Sequence, residues 1–256
     1  MPLVGRRIVV TRPEDQAEGL CEGIVRQGGE AVRFPVIGIA PVTDTSEMQA
    51  LCDRLDRFDL AFFVSANAVR HALSFVLARR AWPSSLRVAT VGAASARALR
   101  ENGFENVIAP ETGFDSESVI ALPEFRAEAL RGKRLVIFRG DGGRDLLRDH
   151  ARRHAAEVAT VAAYRRYRPE ADTAALECEA RSGRLDALVF TSSEGVGNFC
   201  DLFKDMSSFD CMRALPVFAP HRRIASAARD RGFSKVVECA SGDDAILAAL
   251  VRNFSS

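Results

Sequence analysis

Residues Arg7-Ile8-Val9-Val10-Thr11-Arg12 are repeated 127 positions later as Arg134-Leu135-Val136-Ile137-Phe138-Arg139. At the same displacement residues 59–69 match 186–196, and at a displacement of 129 residues 96–104 match 225–233. The chain is therefore a duplicated half, with two residues added to one turn of the second copy. We expect two similar domains facing each other, an arrangement in which small ligands commonly bind at the interface.

Length and composition favour a two-domain globular protein. The 256 residues suffice for two domains of about 100–150 residues each, and 47% of them are hydrophobic. The net charge of +1 predicts no bulk attraction to nucleic acid or to a membrane. Lysine occurs only at 133, 204 and 235, so nearly all positive charge is arginine. Compositional bias explains most of this excess; the alternative is a ligand rich in carboxylates or phosphates, which guanidinium groups pair with bidentately.

The cysteines and the N-terminus bear on location. The six cysteines form no C-x-x-C pair and no zinc-ligand spacing with histidine, so we predict no metal site. Most lie among apolar residues, as buried thiols do in a reducing compartment. The chain opens without the apolar stretch of a signal peptide, and it has no run of about 18 apolar residues. We expect a soluble, cytoplasmic monomer.

Short apolar runs alternate with helical patterns along the whole chain. A strand at 8–11 leads into a helix whose apolar stripe is Ala17, Leu20, Cys21, Ile24 and Val25. Further strands are predicted near 32–41, 60–64, 87–91, 106–109, 135–139, 157–167, 187–191, 215–219 and 235–239. Helices are predicted near 46–56, 66–79, 93–102, 116–122, 143–154, 172–182, 194–203, 221–231 and 243–253. This alternation indicates an α/β fold, in which each half is a five-stranded doubly wound parallel sheet.

The duplication alone places a domain boundary near Gly132, but two long extended segments argue against that position. Residues 31–42 and 157–169 keep extended character for about a dozen residues, whereas ordinary strands run about five or six. A strand of that length can leave one domain and enter the other. We therefore predict a discontinuous domain of 1–34 with 170–256, an inserted domain of 43–156, and connecting strands at 35–42 and 157–169 that pair as a two-stranded ladder.

Ligands of open parallel sheets bind beyond the carboxyl ends of the strands. The turns at those ends are Arg12-Pro13, Ser65-Ala66-Asn67, Gly92-Ala93-Ala94-Ser95, Arg139-Gly140-Asp141-Gly142-Gly143-Arg144, Ser192-Ser193-Glu194-Gly195 and Pro220-His221-Arg222-Arg223. Small residues there leave helix N-terminal N–H groups open to a carboxylate or phosphate. The alternative is that Ser65, Ser192 and Ser193 only cap their own helices. Several such turns in two matching domains favour an anion-binding cleft.

Few side chains suggest acid–base or metal chemistry. The chain has no dinucleotide, phosphate-loop, serine-hydrolase or zinc-protease motif. His150 and His154 are spaced as a metal pair but lack a third ligand, so surface or packing roles are favoured; His221 follows a predicted strand. Tyr164 lies in the second connecting strand. It either faces the space between the domains, where its phenol donates a proton or a hydrogen bond, or packs as an amphipathic residue at the hinge.

Taken together, these features resemble the uroporphyrinogen-III synthase family over essentially the whole chain. The matching segments are Val10-Thr11-Arg12-Pro13, Phe34-Pro35-Val36-Ile37, Phe63-Val64-Ser65-Ala66-Asn67-Ala68-Val69, Val91-Gly92 with Ala96, Leu99 and Gly103, Phe138-Arg139-Gly140 with Gly143-Arg144, Val161-Ala162-Ala163-Tyr164-Arg165-Arg166, and Phe190-Thr191-Ser192-Ser193-Glu194-Gly195-Val196 with Asn198 and Phe199. Their order and spacing carry the resemblance. The turn at Ala219-Pro220-His221-Arg222-Arg223 departs from it, because many relatives have glycine and a hydroxyl residue there.

The resemblance implies two flavodoxin-like domains joined by a two-stranded ladder, with the active site in the cleft. It implies a cofactor-independent lyase that cyclises hydroxymethylbilane, a linear tetrapyrrole with eight carboxylates, inverting the terminal ring to give uroporphyrinogen III in haem biosynthesis. By motif position Tyr164 is the candidate acid. The candidates for binding carboxylates are Arg12, Ser65, Ala66, Asn67, Gly92, Ser95, Arg139, Gly140, Ser192, Ser193, Gly195, His221 and Arg223. The competing interpretation is a non-enzymatic two-domain protein that binds a polyanionic ligand.

Overall fold

The computed structural model describes residues 1–113, 115–142, 146–203 and 206–255, with the backbone alone at 206–208. The chain divides into two compact units. Unit 1 is Met1–Gly38 with Tyr167–Ser256, and unit 2 is Ile39–Arg166. Gly143 and Arg144, which belong to a predicted strand-end turn, lie outside the described residues. Among the described helices none is long and apolar enough to cross a bilayer.

The observed elements alternate between strand and helix. The strands are β1 (Arg7–Val10), β2 (Glu30–Arg33), β3 (Gly38–Pro41), β4 (Leu60–Phe63), β5 (Arg87–Thr90), β6 (Val107–Ile108), β7 (Arg134–Gly140), β8 (Glu157–Tyr167), β9 (Ala187–Val189), β10 (Pro216–Ala219) and β11 (Lys235–Glu238). The helices are α1 (Glu14–Arg26), α2 (Ser46–Cys52), α3 (Ala66–Leu77), α4 (Ala93–Glu101), α5 (Ser116–Ile120), α6 (Ala127–Leu130), α7 (Leu146–His154), α8 (Thr173–Arg181), α9 (Ser193–Leu202), α10 (Met206–Arg213), α11 (Arg222–Asp230) and α12 (Asp243–Phe254). Short 3-10 helices cover Leu55–Arg57 and Pro123–Phe125.

Each unit is built on one sheet. The sheet of unit 1 has the order β11-β10-β9-β1-β2, and all its neighbouring strands are parallel. The sheet of unit 2 has the order β3-β8-β7-β4-β5-β6, parallel from β8 to β6. Numbered along the chain, the strands of unit 1 follow the flavodoxin-like order 2-1-3-4-5. The predicted α/β class with parallel sheets is confirmed.

The two sheets have matching strand pairs, but each sheet is built from strands of both sequence copies. Arg7 of β1 lies opposite Glu30 of β2, and the same register recurs 127 residues later, where Arg134 of β7 lies opposite Glu157 of β8. At the same displacement β4 of the first copy corresponds to β9 of the second, whereas β5 corresponds to β10 at a displacement of 129. Each unit therefore joins the leading strand pair of one copy to the trailing strands of the other.

The predicted strand at 32–41 is wrong as a single strand, because the structure divides it into β2 and β3. Residues 34–37 between them still follow β1: the Phe34 N–H donates to the Val10 carbonyl at 2.9 Å, and the Val36 N–H to the Thr11 carbonyl at 3.3 Å. Pro35 lies between these two donors on the open edge of the sheet, where a missing N–H costs no ladder bond. The strand ends because β3 pairs in the sheet of unit 2. The second long segment is one continuous strand, β8.

Alternate residues of the unit 2 strands enter cores on opposite faces of the sheet, as expected of strands covered by helices on both sides. In β4, Ala61 and Phe63 pack in one core with helix α3, whereas Leu60 and Phe62 pack in the other. Unit 1 packs α1 and α12 against β1 and β9. All six cysteines are free thiols, but only Cys21, Cys52 and Cys200 are buried, fewer than the sequence suggests.

Candidate functional site

Two serines cap the helices that follow β4 and β9. Ser65 has an extended backbone, and its Oγ accepts the Ala68 N–H at 3.1 Å at the start of α3. Ser192 does the same in unit 1, accepting the Gly195 N–H at 2.9 Å at the start of α9. Both serines therefore cap their own helices. Ser193 is different, because its buried Oγ makes no hydrogen bond among the described residues.

Tyr164 is buried in unit 2 with 1% of its surface exposed, and it belongs to the core beneath α3. Its Oη lies 3.2 Å from Ser65 Oγ and 3.5 Å from Nη2 of Arg166. Its ring stacks on His71 of α3, with centroids 5.8 Å apart and planes inclined by 28°. The ring is therefore packed, as the second interpretation of Tyr164 expects, while its hydroxyl reaches the strand-end turn of β4.

An irregularity in the β7–β8 ladder sets the direction of Tyr164. Arg139 pairs with Ala162, but the next residue, Gly140, pairs with Tyr164, so β8 carries an extra residue there. Such bulges redirect side chains. Gly140 also leaves room for the phenol, since a Cβ at this position would lie 2.9 Å from Cε2 and Cζ of Tyr164. The Asp141 N–H donates to the Tyr164 carbonyl at 3.0 Å, which holds the bulge closed.

Arg12 follows β1 in unit 1, and its guanidinium is ion-paired with the carboxylate of Asp243 in the first turn of α12. The side chain of Arg12 is 15% exposed. The predicted carboxylate-binding arginine thus already has a carboxylate partner within its own unit. Its counterpart in the second copy is Arg139, which is half-buried at the end of β7.

The other predicted site residues differ in how open they are. Ala66 and Asn67 are half-buried at the start of α3, and the Asn67 Oδ1 accepts from Arg70 at 2.9 Å. Gly92 is the half-buried, extended residue before α4, whereas the Ser95 side chain is buried at 4% exposure.

In unit 1 the predicted site residues that are exposed to solvent are basic. His221, just before α11, and Arg223, in its first turn, are both exposed. Gly195 is buried and its N–H already bonds to Ser192. Ser95 and Gly195 are therefore poorly placed for direct contact with a ligand in this conformation, and the predicted residues nearest the surface are those at the helix starts.

Sequence reasoning gave no role to three side chains at or near these turns. His71 is six residues after Ser65 and stacks on Tyr164; Asp141 accepts the Arg166 N–H at 3.1 Å; and Asp243 holds Arg12. No motif spacing marks them, because their partners come from other strands or from the far end of the chain. Acidic residues in the first turn of a predicted helix were the one available signal for Asp243.

The histidine pair of α7 is a packing feature. The rings of His150 and His154 are 4.9 Å apart, and Nε2 of His150 lies 2.7 Å from the carbonyl oxygen of Phe125. Across the described ranges, no group of three or more histidine, cysteine, aspartate or glutamate residues is placed to hold a metal ion.

Comparisons with known proteins agree with this architecture. A family model described as uroporphyrinogen-III synthase HemD matches residues 18–247. The uroporphyrinogen-III synthase of Escherichia coli (strain K12) is 28% identical over 245 residues, covering 95% of this chain and 99% of the relative. A mutant uroporphyrinogen III synthase from the extremely thermophilic bacterium Thermus thermophilus shares the fold, with a TM-score of 0.64 at 19% identity and 97% of each chain covered. The uroporphyrinogen-III synthetase of Helicobacter pylori 26695 gives 0.58 at 14% identity, again over 97% of each chain. The chain belongs to the uroporphyrinogen-III synthase family, whose members are cyclising lyases of haem biosynthesis.

Proposed function

We propose that this chain converts hydroxymethylbilane into uroporphyrinogen III. The substrate is a linear tetrapyrrole with eight carboxylates, and closure inverts its terminal pyrrole ring and releases water. The observation that carries the proposal is the family match over residues 18–247. Substrate and product differ by one water molecule, so the conversion itself needs no oxidant or reductant, and we propose that it needs no cofactor.

In the proposed reaction the protein acts mainly by holding the substrate in one geometry. Loss of the terminal hydroxyl leaves a reactive azafulvene, and attack by the last pyrrole ring gives a spiro intermediate. That intermediate fragments and recloses with the ring inverted. Without an enzyme the bilane closes directly to the uninverted isomer, so the chain must hold one conformation and exclude the direct closure.

The carboxylates are proposed to bind at the carboxyl ends of the strands. Helix N-termini there present N–H groups and a positive dipole end to an anion. The residues proposed to form these sites, by contact or by shaping the turns, are Arg12, Ser65, Ala66, Asn67, Gly92, Ser95, Arg139, Gly140, Ser192, Ser193, Gly195, His221 and Arg223. Exposed His221 and Arg223 and half-buried Ser65, Asn67 and Gly92 support direct contact, whereas buried Ser95, Gly140 and Gly195 support a role in shaping the turns.

Tyr164 is proposed to supply the proton that assists loss of the hydroxyl. The contact of its Oη with Ser65 at the turn after β4 supports this role. We also propose that the protein acts as a cytoplasmic monomer with no nucleic-acid or membrane partner. The near-neutral net charge supports the proposed absence of a nucleic-acid or membrane partner.

The decisive assay supplies freshly made hydroxymethylbilane to the purified protein, oxidises the products and resolves the porphyrin isomers. We expect the type III isomer in excess of the enzyme-free control. Type I isomer alone rejects the proposal. Tight binding without turnover favours the polyanion-binding protein instead. The KM should also rise with salt between 0.05 and about 0.5 M, because ion pairs with carboxylates at partly exposed sites are screened.

A further inference from the structure

We propose that Ser65, and not Tyr164 directly, delivers the proton to the departing hydroxyl, with Tyr164 and Arg166 behind it as a proton source and its counter-charge. This inference rests on the proposed function. Its starting point is a difference in burial: the Tyr164 side chain is 1% exposed, whereas Ser65 is half-buried at a strand end. A substrate that docks at the turn after β4 meets the serine first.

The hydrogen-bonding capacity of Ser65 fits a relay. A serine hydroxyl has one proton to donate and two lone pairs that accept. One lone pair accepts the Ala68 N–H at 3.1 Å. The second faces the Tyr164 hydroxyl at 3.2 Å. When the phenol donates to that lone pair, both acceptor positions are filled, and the serine proton has to be directed away from Tyr164, toward the open side of the turn.

Arg166 supplies a hydrogen bond to the oxygen of Tyr164. Its Nη2 lies 3.5 Å from the Tyr164 Oη, and its guanidinium lies 5.9 Å from the centre of the phenol ring. A guanidinium has donors and no acceptor, so Arg166 donates to the Tyr164 oxygen. In the proposed relay the phenol in turn donates its own proton to Ser65. The backbone N–H of Arg166 donates to Oδ1 of Asp141 at 3.1 Å, which fixes the end of β8. His71 stacks on the phenol from α3.

Protons are conserved along the path from Tyr164 through Ser65 to the substrate. The Ser65 proton passes to the hydroxyl of the hydroxymethyl group as its carbon–oxygen bond breaks, and the bonding electron pair leaves with the oxygen as water. Electrons of the pyrrole form the new double bond of the azafulvenium ion. The Tyr164 proton moves to Ser65, which leaves a phenolate beside the guanidinium of Arg166. When the ring closes, the proton lost from the attacked pyrrole carbon returns through Ser65 to Tyr164, so the net change is loss of water.

The duplication supplies an internal comparison. Ser192 corresponds to Ser65 in the second copy and makes the same cap, to Gly195 at 2.9 Å. The residue that corresponds to Tyr164 in the first copy is Ile37, which is buried and carries no proton to give. Two turns with the same capping geometry therefore differ in whether a phenol stands behind the serine, and this difference separates capping or carboxylate binding from proton delivery.

The test measures kcat and KM for hydroxymethylbilane in matched variants. Ser65→Ala should lower kcat by about 100-fold or more, the usual effect of a lost general acid, with KM changed far less. Ser65→Thr, which keeps both hydroxyl and cap, should stay within about tenfold of the wild-type kcat in that scheme. Ser192→Ala should act mainly on KM. If Ser65→Ala folds poorly, Ser65→Asp replaces it, because an ionised carboxylate still caps the helix but has no proton to deliver.

A double-mutant cycle tests the order of the relay. Tyr164→Phe combined with Ser65→Ala should be no slower than the worse single variant, because both remove one pathway. Arg166→Met should lower kcat and Arg166→Lys should restore most of it, a rescue that a purely structural role does not produce. If the wild-type protein makes only type I isomer, the proposed function fails. If it makes type III isomer and Ser65→Ala keeps the wild-type kcat, this inference alone is overturned.

Discussion

Arg12 and Asp243, which are 231 residues apart in sequence, form an ion pair at the carboxyl end of β1. A substrate carboxylate that binds Arg12 has to compete with the one already there. Asp243→Asn should therefore lower the KM for hydroxymethylbilane by about two- to fivefold, the range expected for a partly exposed pair. Asp244→Asn is the matched control, because it also removes an acid from the first turn of α12. Equal KM values in the two variants would show that the pair only anchors the helix.

Gly140 and Tyr164 give a second prediction. A methyl group at Gly140 would lie 2.9 Å from the phenol ring, so Gly140→Ala should push Tyr164 away from Ser65. We expect a fall in kcat of at least about tenfold, and a loss of about 1–3 kcal/mol in stability as in other overpacked cores. Gly142→Ala is the control, since a Cβ there meets nothing within 4 Å. Steady-state kinetics and urea unfolding check both variants; similar losses in the two would contradict the steric argument.

Cys200 predicts a loss of stability at high pH. Burial raises the pKa of its thiol to about 11 from an ordinary value of 9.0. Because the folded state disfavours the thiolate, the neutral Cys200 thiol contributes to the free energy of unfolding. This contribution is complete below pH 9 and is lost as the pH rises toward 11. From pH 8 to pH 11 the wild-type free energy of unfolding should fall by about 2 kcal/mol more than that of Cys200→Ala. Parallel pH profiles from urea titrations would refute the prediction.

The strands with apolar residues at every position could be predicted well from the sequence. All four residues of β4 are buried, which gives the continuous apolar run expected of a strand covered on both faces. Helix α10 was missed because it offers little apolar periodicity beyond Phe209 and Met212. The strand break was missed because the apolar residues around Pro35 continue the pattern of β2 into β3.

The site was less predictable than the fold. Sequence position placed Tyr164 on β8, but the register shift between Arg139 and Gly140 determines where its side chain points. Local patterns do not encode such a bulge, since it depends on pairing with β7. The partner of Arg12 is equally hidden, because an ion pair across the length of the chain leaves no trace in spacing or periodicity.

The exchange of strands between the sequence copies predicts which fragment is stable. Residues 39–166 form one continuous segment with two cores of their own. Expressed alone, this segment should unfold in a single cooperative urea transition. A fragment of residues 1–132, which is the first sequence copy, has similar length but contains β1 and β2 without β9. It should show no such transition; cooperative unfolding of the second fragment but not the first would refute the division.

The same exchange sets the order in which the chain becomes able to fold as it leaves the ribosome. Strands β1 and β2 are synthesised first, yet the Arg7 N–H pairs with Asp186, 179 residues later. The last strand of unit 2 ends at Tyr167, 20 residues before β9 begins at Ala187, so unit 2 can fold first during synthesis. Until β9 is made, the segment β1-α1-β2 has one edge of β1 unpaired. Unpaired strand edges promote aggregation. Nascent chains stalled before residue 186 should therefore depend most on chaperones, and the chaperones should bind mainly within residues 1–40.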